Sequence, residues 1–62
     1  MSYNELTDNE VLEDIQSGSV PDNALIDSLA WRHICSIQAR YPREIDPDVW
    51  HELCKRRGKL LK

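Results

Sequence analysis

The chain is 62 residues long, with 11 acidic and 8 basic side chains and a net charge of −3, and this length allows one domain, residues 1–62, around one small core. No apolar run approaches the roughly 20 residues of a membrane span, the first residues lack the basic start and apolar stretch of a signal peptide, and two cysteines cannot cross-link a disulfide-rich secreted scaffold. We therefore expect a soluble cytoplasmic protein with reduced thiols and no membrane partner.

The first predicted helix spans about residues 8–17. Thr7 and Glu10 have the spacing of a capping box, in which the Thr7 hydroxyl accepts from the Glu10 N–H and the Glu10 carboxylate accepts from the Thr7 N–H. Leu6 and Val11 occupy the two positions of a hydrophobic staple, and Gly18 can adopt the left-handed conformation that ends a helix. The helical period predicts a core face of Val11, Leu12 and Ile15 and an opposite, acidic face of Glu10, Glu13 and Asp14.

The second predicted helix spans about residues 21–40, with Pro21 near its start and Tyr41-Pro42 at its end. Its predicted core face follows the helical period and consists of Ile26, Ala30, Ile34, Ile37 and Tyr41, flanked by Leu29. A second apolar group lies about 180° away and consists of Ala24, Trp31, Cys35 and Ala39. This second face indicates either packing on both sides of the helix or an exposed patch.

The third predicted helix spans about residues 47–61. Asp46 stands at the cap, Pro47 at the first helical position, and Ile45 and Trp50 at the positions of a staple. Its apolar arc consists of Val49, Trp50, Leu53, Cys54, Leu60 and Leu61. Arg57 lies within this arc, so we expect its stem to lie on the core and its guanidinium to reach water. The sequence thus predicts an all-α, three-helix domain.

Candidate chemistry in the chain is sparse. Four side chains could bind a metal, namely His33, Cys35, His51 and Cys54, but His33 and Cys35 at i and i+2 point about 160° apart on a helix. The sequence contains no glycine-rich phosphate loop, and we expect little volume for a pocket of even about 300 Å³. We therefore expect no metal, no cofactor and no enzymatic activity.

Protein binding is the function that we expect. Residues 1–30 contain seven acidic and no basic side chains, whereas residues 31–62 contain eight basic and four acidic ones. This uneven charge distribution either attracts a charged partner or is neutralised when the two halves fold against each other. Two surfaces are candidates for docking on a larger host or regulatory protein: Trp31 with Arg32 and Cys35, or the acidic residues Glu10, Glu13 and Asp14. Trp31 is also a candidate for ordinary core packing. The second apolar face additionally allows a homodimer.

Nucleic-acid binding by the basic C-terminal helix is the alternative function. Its candidate residues are Lys55, Arg56, Lys59 and Lys62, which supply the clustered cations that phosphate contacts need. The N-terminus of the same helix carries Asp46, Asp48 and Glu52, which would repel phosphate. Solvated lysines that interact with the helix dipole explain the same cluster without any ligand.

Two short stretches resemble the small nucleoid-associated modulators of the Hha/YmoA family. They are Glu5-Leu6-Thr7-Asp8-Asn9-Glu10 and Ile45-Asp46-Pro47-Asp48-Val49-Trp50, about a dozen of the 62 positions. Gly18 and Pro21 depart from the family, because they interrupt what would be a continuous helix there. The resemblance implies a helical protein that binds the nucleoid protein H-NS. Short acidic proteins of this kind are common as accessory factors of mobile elements, so a phage or mobile-element protein is one expected source of the chain.

Overall fold

The computed structural model describes residues 3–62, and these residues form an all-α fold. A short 3-10 helix, Tyr3–Glu5, precedes the α-helices α1 (Asp8–Ser17), α2 (Asp22–Ile26), α3 (Ser28–Arg40) and α4 (Pro47–Leu60). The all-α class is therefore confirmed. The predicted count of three helices is approximate for the described residues, because the region 21–40 that was predicted as one helix is divided into α2 and α3.

Helix α1 has the predicted bounds and the predicted ends. The Thr7 hydroxyl accepts from the Glu10 N–H at 3.4 Å, and Gly18 ends the helix in the left-handed region with φ 71°. One detail of the capping box differs, since the Thr7 hydroxyl itself donates to the Glu10 carboxylate at 3.0 Å. Val11, Leu12 and Ile15 are buried, as the helical period predicts.

Asp27 breaks the predicted second helix into α2 and α3. Its backbone is extended, with φ −78° and ψ 121°, and its carboxylate accepts from the N–H groups of Leu29 at 2.9 Å and Ala30 at 3.3 Å. An aspartate at this position satisfies two of the four N–H groups that a new helix leaves unpaired. Local capping therefore overrides the continuous apolar period that predicted one long helix.

The break changes which side chains of this region reach the core. Ile26 and Leu29 were predicted to be core residues, but they are 51% and 59% exposed because the helix axis changes between them. Val20 and Leu25 are buried instead. The core of the described residues is Val11, Leu12, Ile15, Val20, Ala24, Leu25, Ala30, Ile34, Ile37, Ile45 and Leu53.

Helix α4 starts as predicted and ends one residue earlier, at Leu60. Asp46 is its cap and accepts from the Asp48 N–H at 3.0 Å, with Pro47 in the first turn. Only part of its predicted apolar arc is covered, because Leu53 is buried whereas Leu60 and Leu61 are 40% and 53% exposed. The helix packs against α1 and α2, which leaves its last turn at the edge of the fold.

The two tyrosines of the chain fix α1 to its neighbours. The Tyr3 hydroxyl donates to Asp14 at 3.1 Å, and the Tyr41 hydroxyl donates to Asp8 at 2.9 Å. Burial, followed by the charge of Asp14, raises the pKa of Tyr3, while the hydrogen bond to Asp8 is the main reason that the pKa of Tyr41 is raised. Both hydroxyls therefore stay protonated at neutral pH and keep donating to these carboxylates.

Within residues 3–62, no helix is both long and apolar enough to cross a bilayer. Over the same range, no three His, Cys, Asp or Glu side chains are grouped in a way that could hold a metal ion.

Candidate protein-binding groove

A groove of about 410 Å³ lies between the end of α1 and the first three turns of α4. Its apolar floor consists of Ile15 and Leu53, which are buried, and Val49, which is half-buried. One wall is the last turn of α1 with Gly18, and the other is the exposed side of α4. We refer to this feature as the α1–α4 groove.

The rim of the α1–α4 groove is acidic. Asp48 and Glu52 are both exposed and stand one turn apart on the α4 wall. The opposite wall contains the C-terminus of α1, which carries the negative end of the helix dipole. Arg56 closes one end, but its guanidinium binds Asp22 at 2.7 Å and the Val20 carbonyl at 2.8 Å. The rim therefore favours a cation.

A hydrogen bond links the end of α1 to the turn that precedes α4. The Gln16 amide donates to the Glu44 carbonyl. This contact does not involve the exposed carboxylates of the rim. At about 410 Å³, the groove is larger than the pocket of about 300 Å³ for which little volume was expected from the sequence.

The predicted acidic face of α1 is divided by the structure. Asp14 is half-buried and accepts from Tyr3, and Glu10 is exposed but accepts from the Thr7 hydroxyl. Glu13 is exposed and makes no ion pair or side-chain hydrogen bond within residues 3–62. Of the three predicted residues, only Glu13 thus presents an uncommitted carboxylate.

Trp31, the centre of the other predicted surface, is half-buried in a stack with residues of α4. Its ring lies 5.5 Å from the Trp50 ring, with 10° between the planes, and the Arg57 guanidinium carbon lies 4.8 Å from the Trp31 centroid. Trp50 and Arg57 are separated by seven helical residues, or about 10.5 Å of rise, so the Trp31 ring fits between them. The stack combines aromatic and cation–π contacts.

Arg57 therefore does not extend into water as the sequence predicted. Its Nε donates to the Leu25 carbonyl at 2.9 Å, in addition to the contact with Trp31. Leu25 lies in the last turn of α2, where carbonyls lack helical partners, so the break at Asp27 creates the acceptor that Arg57 satisfies. Trp31 and Arg57 thus contribute to the packing of α3 and α4 around α2.

The remaining residues of the predicted Trp31 surface lie beside this stack. Arg32 is exposed, and Cys35, one turn beyond Trp31, is half-buried. Burial raises the pKa of the Cys35 thiol, and the nearby thiol of Cys54 raises it further, with a smaller opposing effect of Arg57. Burial also raises the pKa of the Cys54 thiol. Both thiols are thus protonated at neutral pH and weakly nucleophilic.

The basic C-terminal residues also separate into two groups. Arg56 is half-buried and binds Asp22 and Val20, so it belongs to the framework around α2. Lys55, Lys59 and Lys62 are exposed. Only the three lysines therefore form the accessible part of the predicted nucleic-acid surface.

The sequence reasoning did not identify the α1–α4 groove. Asp48 and Glu52 were considered only as charges that repel phosphate, and Val49 only as part of a core face. The i, i+4 spacing of the two carboxylates next to Val49 and Leu53 was a signal for an acidic rim beside an apolar surface. The position of the α1 C-terminus opposite them is a tertiary feature that this spacing does not contain.

No known protein family, curated protein or solved structure matches this chain. The resemblance to the Hha/YmoA family thus stays a prediction.

Proposed function

We propose that this chain is a non-enzymatic protein-binding module that docks on a larger host or regulatory protein through the α1–α4 groove and acts as a regulator or inhibitor of that partner. The observation that carries the proposal is the combination of an apolar floor and an acidic rim in one groove. The occupant is a partner segment with an apolar side chain flanked by lysine or arginine. We place this docking in the cytoplasm, where Cys35 and Cys54 stay reduced.

The floor of the groove favours an apolar anchor. The floor consists of the half-buried side chain of Val49 beside Ile15 and Leu53, which are 0% and 4% exposed, and about 410 Å³ lies within the range of sites that hold a large side chain or a small ligand. Complete burial of one leucine-sized side chain contributes about 1.5–3 kcal/mol. Anchors of this kind, seated in a pocket, supply most of the affinity in many protein interfaces.

The rim determines the charge of the partner. The carboxylates of Asp48 and Glu52 have no ion-pair partner within residues 3–62. The α1 C-terminus adds partial negative charge, and Asp22 neutralises Arg56 at the end of the groove. A basic flank on the partner therefore gains favourable contacts, whereas an acidic flank meets repulsion from both walls.

A peptide titration followed by NMR tests the proposal. The probe is a synthetic amphipathic peptide with leucines on one face and lysines beside them, and the control peptide has glutamates in place of the lysines. We expect the lysine peptide to shift the amide signals of residues 15–18 and 48–53, with weaker binding at high salt because salt screens exposed charges. Absence of shifts in these two segments contradicts the proposal.

Three charge reversals on the protein compare the groove with the two surfaces that the sequence predicted. Glu52→Lys alters the groove, Glu13→Lys alters the outer face of α1, and Arg32→Glu alters the exposed face of α3. We expect Glu52→Lys to weaken peptide binding by about tenfold, which corresponds to about 1.4 kcal/mol, and the other two variants to change it by less than about twofold. A larger effect of Glu13→Lys or Arg32→Glu places docking on that surface instead.

Nucleic-acid binding by Lys55, Lys59 and Lys62 is the second candidate function, because these exposed lysines have no ion-pair partners within residues 3–62. Binding of a labelled DNA duplex that falls steeply with salt and disappears in a triple lysine-to-glutamine variant supports it. Absence of binding at low salt removes it. A nucleoid-protein modulator, as the Hha/YmoA resemblance implies, and a phage or mobile-element source remain predictions within the protein-docking proposal.

A further inference from the structure

Four charged residues form a stripe along the solvent side of α4. Their spacing is four, three and four residues, which keeps them within an arc of about 60° on the helix. All four are exposed, and none forms an ion pair within residues 3–62. We define the α4 charge stripe by these residues: Asp48, Glu52, Lys55 and Lys59.

The α4 charge stripe places like charges next to each other within one chain. Asp48 and Glu52 are neighbours at i, i+4, as are Lys55 and Lys59, and pairs of this kind repel each other. Arg56 and Arg40 do not neutralise the acidic end, because Arg56 is bound to Asp22 and Arg40 is bound to Asp8. The stripe is thus an acidic segment followed by a basic one, and neither has a partner within residues 3–62.

The register of the stripe is self-complementary in one orientation. In an antiparallel pair of α4 helices, the sequence numbers of two residues that face each other always add up to the same value. Asp48 with Lys59 and Glu52 with Lys55 both add up to 107. Both pairs can therefore face each other in one register, whose midpoint lies between residues 53 and 54. A two-fold axis at this midpoint gives four opposite-charge pairs at once. A parallel pair would place like charges together.

We propose that two copies of this chain associate through the α4 charge stripe in an antiparallel orientation. The occupant of this helix face is therefore a second copy. Asp48 and Glu52 belong to both the stripe and the rim of the α1–α4 groove, whereas Lys55 and Lys59 belong to the stripe alone and Val49 belongs only to the groove. Exposed ion pairs are individually weak, so the dimer is reversible and depends on salt.

Charge-reversed variants in sedimentation equilibrium test the inference. Glu52→Lys and Lys55→Glu each convert two of the four attractive pairs into repulsive ones. An equimolar mixture of the two variants restores all four attractive pairs, but only between unlike copies. We expect the unaltered chain to dimerise at low salt, each variant alone to associate at least about tenfold more weakly, and the mixture to regain the association of the unaltered chain.

The same experiment contains the results that overturn the inference. A chain that is monomeric at about 1 mM and low salt overturns it, as does a mixture that associates no better than its components. Unchanged association in both variants assigns the dimer to another face and overturns it too. Circular dichroism confirms that each variant is folded, and Asp48→Lys with Lys59→Glu forms an independent second pair if one is not. Lys55→Glu leaves the groove intact, so its peptide titration tests the proposed function separately.

Discussion

Replacing Asp27 by alanine removes the side chain that separates α2 from α3. Its carboxylate accepts from the N–H groups of Leu29 at 2.9 Å and Ala30 at 3.3 Å. Loss of an aspartate cap costs about 0.5–2 kcal/mol, and the upper half of this range applies because two N–H groups lose their acceptor. A domain of this size has a free energy of unfolding of about 3–9 kcal/mol, so the substitution removes a substantial fraction of it.

Thermal and urea unfolding, followed by far-ultraviolet circular dichroism, measure this loss. We expect Asp27→Ala to lower the free energy of unfolding by about 1–2 kcal/mol, which for a small domain lowers Tm by roughly 5–15 °C. Asp27→Asn keeps an oxygen acceptor at the cap and should retain most of the stability. Glu13→Ala is the matched control, because Glu13 is an exposed acidic residue with no ion pair within residues 3–62.

Two results would refute the reasoning about Asp27. The first is an Asp27→Ala variant as stable as Glu13→Ala, which would mean that the cap contributes nothing and that α2 and α3 can merge without cost. The second is an Asp27→Asn variant as unstable as Asp27→Ala, which would mean that the negative charge matters and the hydrogen bonds do not.

Three further predictions concern the aromatic stack, the glycines and alkaline pH. Urea unfolding should show that Trp31→Ala lowers the free energy of unfolding by about 2–4 kcal/mol and Arg57→Met by about 1–2 kcal/mol. Strictly additive losses in the double variant would contradict an energetic coupling between Trp31 and Arg57 in the stack. Gly18→Ala should lower Tm because the φ angle of Gly18 is 71°, whereas Gly58→Ala should raise Tm because it removes a glycine from a helix. Neither new Cβ meets an atom within 4 Å, so Tm shifts of the same sign in the two variants would contradict this backbone explanation. Because the pKa of both tyrosines is raised, the hydrogen bonds of their hydroxyls stabilise the fold fully below about pH 10, and this stabilisation is lost as the pH rises through the higher pKa of the folded protein. Tyrosinate absorbance should therefore titrate at higher pH in the folded protein than in urea, and equal titration midpoints in the two conditions would contradict the prediction.

Helix starts could be predicted from the sequence wherever one short segment carries the whole signal. Thr7 with Glu10 and Asp46 with Pro47 cap α1 and α4 through contacts between residues less than four positions apart. Asp27 carries the same kind of local signal, but it stands within an apolar period that continues on both sides of it. A period of 3.6 residues does not reveal whether the helix axis changes direction at one position. Ile26 and Leu29 were therefore assigned to the core, although they are exposed.

The candidate site was harder to predict than the fold, because it depends on contacts between distant segments. The groove needs the end of α1 to lie across α4, a position that the Gln16 contact with Glu44 helps to fix over 28 residues of sequence. The role of Arg57 similarly needs a free carbonyl at Leu25, which exists only because α2 ends there. Composition and spacing identified these residue types but not their partners.

Some charged side chains of the two halves of the chain pair with each other within the fold, whereas others stay exposed without an ion pair. Asp8 with Arg40 and Asp22 with Arg56 are ion pairs that each join the acidic first half of the chain to the basic second half. The arginine side chains of these pairs are 55% and 40% exposed, so each pair contributes little stability individually. Among the described residues, the exposed charged side chains of α4 that remain without an ion pair are Asp48 and Glu52 beside the groove and Lys55 and Lys59 beyond it. Because only the carboxylates of this set line the groove, reversing Lys55 or Lys59 alters the surface proposed for a second copy and leaves the groove intact, whereas reversing Asp48 or Glu52 alters both surfaces. Charge reversals of the two lysines therefore distinguish a basic partner in the groove from a second copy of the chain.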